Sequence, residues 1–148
     1  MNIASERVLG IDPGFARCGY GIVGKEHNKP VAYLWGCIQT TPKTGDTPCR
    51  LLVIYDSIEQ LIMTYKPSCL VCEKLFFSRN TTTALNVSEA RGVIMLAAAK
   101  HQIPVFEYTP NQVKLAITGS GTADKKQIQM MIARVLRLSE IPKPDDAA

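Results

Sequence analysis

Two carboxylates stand at the ends of apolar runs in this sequence. Asp12 closes Val8-Leu9-Gly10-Ile11 and is followed at once by Pro13-Gly14, and Glu73 closes Leu70-Val71-Cys72 in the same manner. Such a strand delivers an acid to its C-terminal edge and then turns. Taken alone, Asp12 reads better as an Asx-type turn residue. Glu73 has no packing role at the end of a buried strand, and the pair weighs more than either acid alone. Neighbouring carboxylates repel each other and destabilise a fold unless a cation holds them, and hard oxygen ligands of this kind suit Mg²⁺ or Mn²⁺. Asp145 and Asp146 follow Pro142-Lys143-Pro144 and complete such a site if the chain folds back over a sheet. A frayed acidic tail explains them equally well. Two metals about 3.5–4 Å apart activate water and stabilise the leaving oxygen in phosphodiester hydrolysis, with no need of a nucleophilic side chain. That chemistry fits the motifs that are missing, since there is no GxxxxGK[ST] loop, no HExxH, and no histidine besides His27 and His101.

Features suited to phosphate lie further along. Thr118-Gly119-Ser120-Gly121-Thr122 precedes a stretch carrying Lys125 and Lys126, so free backbone N–H groups, a helix dipole and two ammonium groups are expected to meet one phosphate there. A flexible loop before a solvated helical turn is the alternative. Phe76-Phe77 puts two rings beside Glu73, one for the core and one free to stack on a base. Between Lys74 and Lys126, Lys74, Arg79, Arg91, Lys100, Lys114, Lys125 and Lys126 face only Glu89, Glu107 and Asp124. A solvated surface is the plainer account of Lys100.

The elements that must position these groups follow from periodicity. Residues 7–12, 19–23 and 31–39 are rich in β-branched, aromatic and aliphatic side chains and read as an antiparallel meander. From Pro48 to Tyr65 the apolar residues recur at helical spacing until Lys66-Pro67 stops them. A buried strand over 69–73, a helix over 82–101 and a strand over 104–108 come next. Thr122 is expected to cap a last helix whose stripe of Ile128, Met131, Ile132 and Val135 faces the core. The sum is a mixed α/β sheet with helices on its faces, an arrangement whose strand ends commonly carry the site.

The chain's 148 residues, 46% of them hydrophobic, suffice for one domain, 1–148, and not for two. The longest apolar runs, 93–99 and 8–11, are far too short to span a bilayer, and Met1 to Arg7 lacks the apolar stretch of a secretory signal. A cytoplasmic protein with no membrane association is the expectation. Five cysteines make an odd number and are read as reduced thiols. Cys69 and Cys72 match CxxC, but in a strand they point to opposite faces. The net charge of +4 permits a polyanionic partner without requiring one.

With these residues in place, the chain resembles the RuvC family of the RNase H-like superfamily, from about residue 7 to the terminus. Gly10-Ile11-Asp12-Pro13-Gly14 with Gly19-Tyr20-Gly21 is similar to the family's first hairpin. Glu73-Lys74-Leu75-Phe76, with Ala84-Leu85 and Ala90-Arg91-Gly92, is similar to its second carboxylate and long helix. Glu107-Tyr108-Thr109-Pro110, Val113-Lys114 and the stretch from Gly119 to Gln127 match further on. The resemblance implies an RNase H-like mixed five-stranded sheet flanked by helices. It implies a Mg²⁺-dependent endonuclease, with Mn²⁺ able to substitute, that resolves Holliday junctions in DNA recombination and repair. Asp12 and Glu73 fall on the family's first two catalytic and metal-binding acids and Asp146 on its third, with Asp145 the weaker match. Phe76 falls on the junction-contacting aromatic, and Lys114 and Lys125 fall on basic residues tied to DNA binding or catalysis. Lys126 has no counterpart. The resemblance also implies a homodimer that nicks a four-way junction symmetrically beside a branch-migration helicase. The small residues Ala90, Gly92, Ala97 and Ala98 suit close helix packing between subunits, though packing within one subunit explains them equally well.

One departure stands out: the family pattern runs past Asp-Ala-Ala to a fourth carboxylate and a further helix, whereas this sequence stops at Ala148. For the chain as given, the expectation is a truncated last helix, impaired or absent cleavage and partly retained DNA binding. Two rival readings are an RNase H-like RNA-processing nuclease and a non-catalytic junction-binding fragment. An actin-like sugar kinase lobe is excluded by length.

Overall fold

The meander comes first in the computed structural model, which describes residues 6–76 and 81–142. Strands β1 (Arg7–Asp12), β2 (Arg17–Glu26) and β3 (Lys29–Gln39) pair antiparallel, with a bulge between Ile22 and Val23. Strands β4 (Cys69–Glu73) and β5 (Val105–Tyr108) then add in parallel, giving the order β3-β2-β1-β4-β5. The mixed five-stranded sheet expected from the sequence is present.

Strand alternation sorts the sheet into two unlike faces. Leu9 and Ile11 of β1, Cys18 and Ile22 of β2, and Leu70 and Cys72 of β4 turn one way and are buried. Helix α1 (Thr47–Tyr65) covers them with Ile54, Ile58, Leu61 and Ile62, and α2 (Thr81–Lys100) adds Ala90, Ile94, Ala97 and Ala98. Each Leu or Ile fully withdrawn from water there contributes about 1.5–3 kcal/mol, so most of the fold's cohesion lies on this side. Asp46 caps α1 by accepting from Cys49 N at 3.1 Å, and Lys66, left-handed at φ 48°, ends it. The small residues of α2 now have their explanation, because Ala90, Ala97 and Ala98 are fully buried within the subunit. Gly92 is exposed, and a Cβ there would meet nothing.

The other face carries Val8, Gly10, Gly21, Val23, Ala32, Trp35 and Val71, the residues offset by one position from the buried set. Two further helices, α3 (Pro110–Thr118) and α4 (Lys125–Val135), lie against each other over it. They leave an apolar cleft of about 540 Å³ between themselves and the sheet, with Asp12 and Glu73 on its wall. Here two expectations need correction. The α4 cap is Asp124, not Thr122: Asp124 accepts from Gln127 N at 2.8 Å while Gln127 reaches back to Asp124 N at 2.9 Å. Asp124 wins because it alone has a glutamine three residues on to close the box. The stripe of Ile128, Met131, Ile132 and Val135 does not enter a closed core; Val135 stays 46% exposed, and Gln129 is the residue of α4 that is buried. None of the described helices is long and apolar enough to cross a membrane.

Candidate active site

The site follows from one rule of strand geometry. Strands β1 and β4 are parallel neighbours with Ile11 opposite Cys72, so the next residue of each, Asp12 and Glu73, emerges on the cleft side at the same C-terminal edge. Their buried predecessors point the other way and fix the register, since a slip by one residue would turn Leu9 and Ile11 out to solvent. After Asp12 the chain must reverse tightly into β2. A Cβ on Gly14 would lie 1.8 Å from the Arg17 carbonyl oxygen, so only glycine fits. Glu73 is opposite Tyr108 of β5, and Lys74 N donates to the Tyr108 carbonyl at 2.8 Å, holding the edge beyond the acid.

Both acids are electrostatically uncomfortable. Partial desolvation on the cleft wall raises the Asp12 carboxyl above the ordinary aspartate value even though the residue reaches solvent, and Lys125 draws it partly back. Glu73 is also raised, first by burial and then by the charge of Asp12, with Lys114 opposing. The two lysines therefore act on different acids, Lys125 from the first residue of α4 and Lys114 from the middle of α3. Four of the groups singled out in the sequence, Asp12, Glu73, Lys114 and Lys125, are thus brought to one edge. Phe76 lies three residues beyond Glu73 and is 70% exposed. Phe77, Asp145 and Asp146 lie outside the described residues.

The loop from Thr118 to Thr122 does not offer the open row of backbone donors expected of it. Ser120 N is bonded to Thr118 Oγ1 at 3.1 Å, Thr122 N to Ser120 Oγ at 3.4 Å and Ala123 N to the Ser120 carbonyl at 3.4 Å. The carboxylate of Asp124 occupies the α4 N-terminus, where it would oppose an anion. What this corner offers a phosphate is the ammonium of Lys125, with Lys126 also exposed beside it.

Sequence reasoning missed helix α3 and two supporting clusters. Arg91 of α2 forms an ion pair with Glu107 of β5 on the core side of the sheet, where Glu107 is opposite Cys72. Burial pushes the Cys72 thiol up to about 11 and Cys18 up to about 12, so both remain protonated. The second cluster joins Thr40, Arg50 and Phe15 behind the Asp12 turn. Thr109-Pro110-Asn111-Gln112 was the available signal for α3, since Thr109 and Gln112 form a capping box.

Two aligned carboxylates, hard donors whose charge the neighbouring lysines offset only in part, fit a hard divalent cation such as Mg²⁺. Among the described residues no third His, Cys, Asp or Glu joins them.

Comparison with known proteins bears on the family and the fold. The family model described as crossover junction endodeoxyribonuclease RuvC matches residues 8–148. A protein of that name from Pseudothermotoga lettingae is 50% identical over 141 residues, covering 95% of this chain and 86% of the relative. Another from Brevibacillus brevis is 53% identical over 144 residues, covering 96% and 85%. Among solved structures, Thermus thermophilus RuvC in complex with a Holliday junction substrate superposes with a TM-score of 0.87 at 31% identity, over 94% of this chain and 84% of that one.

Proposed function

The chain belongs to the RuvC family of crossover junction endodeoxyribonucleases, and from that premise we propose how it resolves Holliday junctions. The observation that carries the reading is the placement of Asp12 beside Glu73, two acids on adjacent parallel strands whose unfavourable charge Lys125 and Lys114 offset only in part. These are the residues that would hold Mg²⁺, with Mn²⁺ as a substitute and Asp146 as the third ligand. A cation held there would supply activation of water and stabilisation of the leaving oxygen of the phosphodiester. Asp12 and Glu73 orient that chemistry at the strand edge, and their raised affinity for protons means that they are fully charged only above the usual carboxylate range. Lys114 and Lys125 draw the DNA backbone towards the edge and favour the ionised form of the acid each one faces. Phe76, exposed beside Glu73, supplies a stacking surface for a base where strands part.

Four-way symmetry calls for two such sites, and a homodimer is supported by the outer side of α2. Leu85, Glu89, Gly92, Leu96 and Ala99 recur there at alternating spacings of four and three, with Leu85 66% and Leu96 61% exposed. This is the spacing with which helices pack side by side. A branch-migration helicase complex as partner rests on family membership alone, as does a cytoplasmic place of work.

The test is to incubate the chain with a labelled four-way junction, a matched linear duplex and a structured RNA, with and without Mg²⁺. Metal-dependent paired nicks confined to the junction support this reading, whether they come at full or at impaired rate. Preferential cutting of the RNA would replace this reading with an RNA-processing one, and junction binding without any nick would leave a non-catalytic module.

A further inference from the structure

Thr40 stands one residue past the end of β3 and is 2% exposed, and each of its polar groups is engaged. Its hydroxyl donates to the Phe15 carbonyl at 2.6 Å and accepts from Arg50 Nε at 3.0 Å. Its N–H donates to the Ala16 carbonyl at 3.0 Å, and its own carbonyl accepts from Arg50 Nη2 at 3.2 Å. The Arg50 guanidinium also lies over the Phe15 ring, 3.9 Å from the centroid. One threonine therefore ties two carbonyls of the turn that follows Asp12, those of Phe15 and Ala16, to an arginine anchored on α1. The turn itself has little freedom at Gly14, where the Arg17 carbonyl occupies the place of any side chain.

We propose that Thr40 and Arg50 are positioning residues for the nuclease reaction, bracing the turn from Pro13 to Ala16 so that Asp12 is held level with Glu73. The inference rests on the reading of these acids as metal ligands. β1 is paired with β2 up to Asp12 and with β4 up to Ile11, so the part of the hairpin not held by the sheet is the turn beyond Asp12. Like charges at the strand edge push that part outward, and the brace opposes the push from the side of α1, away from the cleft. A fork of guanidinium donors suits this task, because it grips a hydroxyl and a carbonyl of the same residue in a fixed geometry. A lysine at position 50 offers no such fork.

The experiment compares the wild-type chain with Thr40→Val, Thr40→Ser and Arg50→Met. Three readouts are taken: amide hydrogen exchange from Gly14 to Arg17 without metal, the Mn²⁺ concentration giving half-maximal nicking of a four-way junction, and metal-free junction binding. Thr40→Val is expected to speed exchange in the turn and raise the half-saturating Mn²⁺ concentration roughly tenfold, the size of effect that follows loss of one buried hydrogen bond. Exchange in α2, junction binding and nicking at saturating Mn²⁺ stay as in the wild type. Arg50→Met follows the same pattern, and Thr40→Ser restores both the exchange and the metal requirement. Unchanged exchange and metal requirement in Thr40→Val overturn the proposal. So does acceleration shared equally by α2, which marks a merely structural role. Failure of the wild-type chain to respond to Mn²⁺ would instead count against the metal-ligand reading, and turn exchange would still decide whether the brace exists.

Discussion

Glu59 and Glu73 carry the same side chain and live in opposite circumstances. Glu59, on α1, accepts from Lys100 at 2.7 Å, from His101 at 3.0 Å and from the Tyr55 hydroxyl at 3.5 Å. The Lys100 ammonium and the His101 ring, followed by their charges, hold its carboxyl below the usual glutamate value. Glu73, at the strand edge, has burial and the charge of Asp12 against it and only Lys114 on its side. A carboxylate ringed by donors fastens one helix to another. A carboxylate held beside its like by the register of two strands stores a conflict that the fold itself does not resolve, and such a place is where a cation has work to do.

Removing the two kinds of acid should therefore have opposite consequences. The largest effect is expected for Glu73→Gln, which lowers metal-dependent nicking of a four-way junction by at least about a hundredfold while leaving a mobility shift of the same junction intact. Loss of binding in parallel with cutting would show that Glu73 shapes the fold instead of the chemistry. A smaller effect is expected for Lys114→Ala and Lys125→Ala, each of which should reduce the slope of log affinity against log salt by about 0.9 for every phosphate that the lysine neutralises. Binding measured over a salt series checks this. Removing Lys125 also takes away the charge that lowers Asp12, so the acid limb of the nicking profile should move to higher pH.

Stability sharpens the contrast further. Asp12 and Glu73 have folded pKa values above those of the unfolded chain, so without metal the stability they contribute is present below the unfolded values. It is lost as pH rises through the folded ones. Asp12→Asn should raise the melting temperature of the metal-free protein at neutral pH, and this gain should vanish in acid. Glu59 has a depressed folded pKa, so its contribution is present above the unfolded value and is lost as pH falls through the folded one. Glu59→Gln is expected to give the smallest change, a slight loss of thermal stability at neutral pH, with nicking unaltered. Thermal melts across a pH series distinguish the two signs.

The strand-end acids were legible because each terminates a run whose alternation is set by burial, and position, not conservation, makes them conspicuous. The meander and α1 were legible for the same reason: they surround the closed side of the sheet, where Leu9 and Ile58 leave a strong periodic trace, whereas α2 packs there through Ala90, Ile94, Ala97 and Ala98 but carries apolar residues all round. The open side was harder to read. Helix α3 has only nine residues, none of them buried, and its Val113, Ala116 and Ile117 line the cleft, while α4 has an apolar stripe that borders the same cleft instead of entering a core. Thr122, directly after the glycines, is the more conspicuous cap for α4, yet Asp124 and Gln127 spell the complete box. The Thr40 brace was beyond sequence reasoning, since its members stand ten and twenty-five positions apart and meet only when α1, β3 and the first turn are assembled.

The measurement that bears most directly on the central claim is Mn²⁺ binding by the wild-type chain and Asp12→Asn, each saturated with a four-way junction, with nicking followed in the same samples. If the paired acids hold the metal that cuts the junction, the wild type binds Mn²⁺ and nicks, while Asp12→Asn still shifts the junction but loses both metal binding and cleavage. Wild-type nicking by Asp12→Asn would contradict the account and place the chemistry elsewhere on the molecule.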